Sequence, residues 1–393
     1  MGHSLVHVYA VLGQLPAVAA FNTLHFREWF SEFHSTFMSN GTTYMLNGTS
    51  PCQDVISTYW SNTNNFNCFM ATSCLLNNIG ELATASIGSA SVVLGILPTV
   101  LAGFGPTVAE MSLLSSQRPF LSFLLALGAP SVYPNRLLDY THPVSTLEQL
   151  PANLSVGCPE QCAIYISMAQ YLLAICAIVN NFNASLKLGI SGVLSWSCNG
   201  WPYPLAWSLI PILVHVSGAV AIYQMTHSSN KKNHSTNEVE TRFAPRKKWW
   251  QPKSTRAVRL LAAELQLCVN RPAPFQTHPD QFPRNTYFGV FCASVLANML
   301  SVGHLIFGTL VLSSMLFVSE WDAVQLVARY ALSAMACRVI LLYELAGMRK
   351  SRKQVLEGLR TGVALRDNIQ NQLGKPASSS VGLLQDAQAI SRT

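Results

Sequence analysis

Apolar residues in this chain come in long unbroken runs, and the length of each run decides what it can form. A bilayer core about 30 Å thick takes about 20 apolar residues at 1.5 Å of rise each. Five runs meet that length: 83–104, 163–180, 203–225, 287–312 and 323–343. Trp201, Tyr203, Tyr287, Trp321 and Tyr343 stand at their ends, where amphipathic rings favour the bilayer interface. The pattern predicts an all-α, multi-pass transmembrane helical bundle with five spans.

Two further runs are ambiguous. "FLSFLLALGAPSVY" (120–133) is too short to cross and carries Gly128-Ala129-Pro130, so it reads as re-entrant or interfacial. Residues 1–20 have a modest apolar core ending in Ala17-Val18-Ala19, as at a signal-peptide cleavage site. No Lys or Arg precedes that core, and an uncleaved span is the alternative. If both stretches cross, the count rises to seven; five is preferred.

Composition agrees with the runs. Of the 393 residues, 50% are hydrophobic and 11% charged, against about 25% charged in soluble domains. The net charge of +7 does not point to nucleic acid, because the basic residues flank the apolar runs and form no base-reading module.

Charge distribution sets the threading. The loop 226–286 holds 11 Lys and Arg and the tail 344–393 holds 8, together 19 of the chain's 25. Basic flanks stay cytosolic, so the spans within 287–343 form a hairpin with an outward connection. Counting back places 21–82 on the lumenal or extracellular side. That segment has one basic residue, Arg27, and two glycosylation sequons at Asn40 and Asn47. Cys52, Cys68, Cys74 and Cys198 also fall outside, an even number suited to two disulfides, with three connectivities open.

Ionisable residues inside spans default to a functional hypothesis. Arg329 and Arg338 are nine residues apart, about 13.5 Å along a helix and on opposite faces. Arg329 is expected to snorkel outward near Glu320 and Asp322. Arg338 must reach inward or find Asn298, His304 or a lipid phosphate. His215 is a further single polar residue in a span, explained as well by helix–helix hydrogen bonding as by chemistry.

Other motifs shape the partners expected. "RKKWWQPK", from Arg246 to Lys253, suits anionic lipids of the inner leaflet. The run after it places Val258, Leu261, Leu265 and Cys268 on one helical face, lying on that leaflet or docking on the bundle. Ser91 and Gly95 form a small-xxx-small pair for close packing within the bundle or a homo- or hetero-oligomer. Cys158 and Cys162 lack the second pair a structural zinc site needs. No phosphate loop, dinucleotide fingerprint, zinc-protease or nucleophile-elbow motif occurs, so no catalytic residue, metal or cofactor is expected.

Gly105, Pro106, Ala109 and Glu110, followed by Arg118, Pro119 and Leu121, give a small-residue span, a turn and an "R-P-x-L" stretch. In these residues the chain resembles a group of uncharacterised fungal multi-pass integral membrane proteins, a resemblance that implies architecture and supplies no catalytic residues. The function expected is a non-enzymatic accessory or scaffolding protein of the plasma membrane or secretory pathway. A small-solute transporter or channel and an intramembrane enzyme are the alternatives.

Overall fold

The computed structural model describes residues 25–31, 33, 38–39, 42–43, 52–134, 160–198, 200–237, 264–271 and 284–373. Asn40, Asn47, the N-terminal 20 residues, Cys158 and the basic run 246–253 lie outside these, so the expectations placed on them have no structural counterpart here.

Nine α-helices account for nearly all the described structure: α1 (Gln53–Ser61), α2 (Asn65–Asn78), α3 (Glu81–Phe104), α4 (Val108–Gln117), α5 (Pro119–Gly128), α6 (Glu160–Ser191), α7 (Pro202–Asn237), α8 (Arg284–Ser313) and α9 (Glu320–Leu373). Two antiparallel ribbons, Met38–Ser39 with Thr42–Thr43 and Val193–Leu194 with Met315–Leu316, are the described strands. Five helices, within α3, α6, α7, α8 and α9, are long and apolar enough to cross a membrane. The protein is an integral membrane protein built as a helical bundle.

Sequence rules explain most boundaries. The Asn64 side chain caps α2 by accepting from the Asn67 N–H at 2.7 Å. Pro119 opens α5 at a position where its missing N–H costs nothing. Helix α6 runs to Ser191, well past Asn180, because Asn181 and Asn183, which interrupt the apolar pattern, find hydrogen-bond partners there.

On one side of the bundle a cap of α1, α2, Phe26, Trp29 and Phe33 packs with Tyr59 and Phe317 at its centre, all of these side chains buried. Two disulfides, Cys52–Cys74 and Cys68–Cys198, staple it, the second reaching the α6–α7 connection. These are the four cysteines expected outside.

Ser91 and Gly95 of α3 pack within the chain. Ser91 Oγ donates to the Ser313 carbonyl at 2.9 Å, and a Cβ on Gly95 would stand 3.0 Å from that of Ser313. This register matters for depth. Ser313 ends α8, so α3 has only nine residues, about 13.5 Å, left below that level before it stops at Phe104. The first turns of α3 belong instead to the cap, where Ile87 is buried.

Candidate functional site

Helix α3 ends at Gly105-Pro106-Thr107, and Pro106 has no N–H with which to continue it. A capping box starts α4 at once: Glu110 N–H donates to Thr107 Oγ1 at 3.2 Å, and Thr107 N–H donates to Glu110 Oε2 at 2.9 Å. Helix α4 then completes the descent against α7, with Val108 and Ser112 against Gly218. At Arg118 the chain reverses and α5 climbs back into the bundle. It ends at Gly128 beside Ala174 and Ala177 of α6 and Cys337 of α9, where a Cβ would meet the Cys337 sulfur at 2.8 Å. Asn181 Nδ2 donates to the Gly128 carbonyl.

Residues 129–132 are buried, non-helical backbone at the depth of the break. Tyr133 N–H donates to the Pro106 carbonyl at 3.2 Å, and Ser131 lies so close to Gly105 that a Cβ there would stand 2.9 Å from its Oγ. Irregular backbone at this depth persists only where protein buries it or a polar cavity receives it.

Buried polar groups surround this break. Gly308 against Trp207, and Gly289 against Gln224, fix the antiparallel register of α7 and α8. That register sets His215 within about a turn of Asn298, Ser301 and His304. His304 stacks on Trp207 with ring centroids 5.7 Å apart and faces the Pro130 carbonyl without closing a well-aligned hydrogen bond. Both ring nitrogens of His215, both polar atoms of the Asn298 side chain and Ser131 Oγ have no hydrogen-bond partner among the described residues. All are at least nine-tenths buried. Such groups cost free energy unless something polar meets them.

The arginines behave otherwise than expected. Arg338 neither snorkels nor meets Asn298 or His304; its guanidinium forks onto Glu110, Nη2 donating to Oε1 at 3.0 Å and Nη1 to Oε2. Glu110 looks like a flank in the sequence, because the turn that brings it inside is not visible there. The T-x-x-E box was the signal available. Arg329 turns to α6 instead of the outer acids: Nε donates to Asn180 Oδ1 at 2.9 Å and Nη2 to Asn183 Oδ1 at 3.0 Å. Asp322 is taken by Ser31 and Ser319.

A second polar centre, missed by sequence reading, lies at the basic end. Arg118 is fully buried, donating to Glu344 Oε1 at 2.8 Å, Gln170 Oε1 at 2.7 Å, Ser167 Oγ at 2.6 Å and the Glu264 carbonyl at 2.9 Å. Glu344 Oε2 accepts from Cys268 N–H at 3.0 Å, and Glu264 Oε1 from Leu121 N–H at 2.9 Å. Residues 264–271 thus form a strap across this end, further held by Arg271 on the Gln117 carbonyl. The amphipathic face expected there does not run on to Cys268, since Leu267 is extended and Cys268 opens a 3₁₀ turn. Cys268 is buried in the bundle core. Burial, and secondly Glu344, push its thiol well above the ordinary range.

No family model, curated protein or solved structure matches the chain. What the site does is therefore argued from its own chemistry. Among the described residues no three metal-ligating side chains gather. The arrangement offers two imidazoles, an amide and a hydroxyl around a broken helix, with the Arg338–Glu110 ion pair on the helix that follows the break.

Proposed function

We propose that this protein passes protons, alone or together with a small polar solute, through the interior of its bundle. The observation carrying this reading is the set of His215, His304, Asn298 and Ser131, buried and largely unpartnered, beside the break between α3 and α4. A neutral imidazole has one ring nitrogen that can accept a proton and one that can release it, so a buried ring can relay protons without standing charged. Broken helices at mid-depth are the usual frame of transport sites. An accessory or scaffolding role, expected from the lack of catalytic motifs and the polar segments on both sides, gives no reason for a polar centre there. Two disulfides on one face support a plasma-membrane or secretory-pathway location with that face in the oxidising compartment.

The test is flux. Purified protein is reconstituted in liposomes holding a pH-sensitive dye, and a potassium diffusion potential drives protons inward. Wild-type vesicles should acidify faster than protein-free ones, with His304→Ala and His215→Ala falling to the vesicle background while remaining monodisperse. Identical rates with and without wild-type protein reject the proposal.

A further inference from the structure

A pocket of about 440 Å³ opens on the disulfide-bearing face, between residues 27–29 and the last turns of α6. Its size falls within the range of small-molecule sites, about 300–1,000 Å³. Two cations line it, Arg27 and Lys187, with one carboxylate, Glu28. Each cation lies against an aromatic ring. The Arg27 guanidinium lies 4.8 Å from the centroid of the Trp60 ring, and the Lys187 ammonium 5.3 Å from that of Phe30. Among the described residues no carboxylate pairs with either.

The remaining lining follows the same logic. Asn183 spends its carbonyl oxygen on Arg329, which leaves its amide N–H groups as donors toward the pocket. Trp29 and Ile190 supply an apolar wall. Exposed Trp196 and Trp321 mark this end of the bundle as the level of an interfacial aromatic belt. Two cations, one anion and an apolar wall at a membrane interface match a group that carries both charges and an apolar continuation.

We propose that this pocket binds a zwitterionic phosphate ester of the phosphoethanolamine type, with the phosphate between Arg27 and Lys187 and the ammonium on Glu28. A membrane lipid and a soluble headgroup both carry this ester, and the binding experiment separates the two sources. The site is independent of the proton pathway, so the failure of either leaves the other standing.

Native mass spectrometry of the detergent-solubilised full chain, titrated with phosphatidylethanolamine or phosphatidylglycerol, reads binding directly. One saturable phosphatidylethanolamine should bind in preference to phosphatidylglycerol. Lys187→Gln and Arg27→Gln should each weaken it about tenfold, the loss of one charge-assisted hydrogen bond. Lys187→Arg should retain it, and Glu28→Gln should abolish the preference over phosphatidylglycerol. Competition by soluble glycerophosphoethanolamine assigns the site to a free ester; its failure to compete assigns it to lipid. Each variant is checked for an intact Cys68–Cys198 bond. Unchanged affinity in both Gln variants at the two cations, or equal binding of the two lipids by wild type, overturns the proposal.

Discussion

Arg118 and Glu344 are separated by 226 residues and meet at 2.8 Å, with neither side chain reaching solvent. Four of the five guanidinium N–H groups end on acceptors, and the second carboxylate oxygen ties down Cys268. A buried pair of this kind is costly to break from one side, because the survivor keeps its charge without its partner. Glu344→Gln should therefore lower stability by about 3–5 kcal/mol, read as a shift in the unfolding midpoint in detergent. The double variant Arg118→Met/Glu344→Leu should lose less than either single change.

The strap gives a second readout of the same centre. Cys268 is buried with its thiol pushed well above the ordinary range, so little thiolate forms at pH 8, whereas Cys162 is exposed. Maleimide should label Cys162 and spare Cys268 in the native protein. Glu344→Ala, which frees the Cys268 N–H, should expose Cys268 to the reagent. Labelling of Cys268 in wild type at the rate of Cys162 would contradict the docked strap.

Much of this architecture is legible in the sequence, and the illegible part has a physical cause. Run length fixes five membrane-length helices, and charge asymmetry and cysteine placement single out Cys52, Cys68, Cys74 and Cys198 for pairing. Hydropathy cannot show that the first turns of α3 pack in the cap, since the register of α3 on α8 is set by the contact of Gly95 with Ser313. Nor can it show that Glu110 and Arg118 turn inward. Both sit among short helices whose reversal depends on residues far along the chain, Arg338 and Glu344.

Disulfide mapping tests the cap. Of the three connectivities open to the four cysteines, the structure contains Cys52–Cys74 and Cys68–Cys198. Non-reducing peptide mass spectrometry should recover those two linked pairs and neither alternative. Removing the longer link with Cys68→Ser/Cys198→Ser should cost about 2–5 kcal/mol, as in other small disulfide-held domains.

The cap should also be acid-sensitive. His25 is buried among the cap residues, and burial lowers its pKa from 6.5 to about 4. Between those values the unfolded chain binds a proton that the folded chain does not, so stability falls as pH drops. The loss should begin below about pH 6.5, grow until about pH 4 and reach on the order of 3 kcal/mol. His25→Phe should flatten this part of the pH profile. A wild-type midpoint that is unchanged between pH 7 and pH 4.5 would contradict the buried neutral imidazole.

The central claim is that the break between α3 and α4 opens onto a polar interior reached by water. The most direct measurement is the rate at which a small water-soluble methanethiosulfonate modifies a cysteine placed there. Ser131→Cys and Ala297→Cys are compared in a background where Cys158, Cys162, Cys176 and Cys292 are replaced by alanine; residue 131 borders the polar groups, and Ala297 sits in an apolar cluster. Fast modification at 131 and little at 297 is the predicted result. Equal, negligible modification at both positions would mean that the centre is dry, and the account would fail.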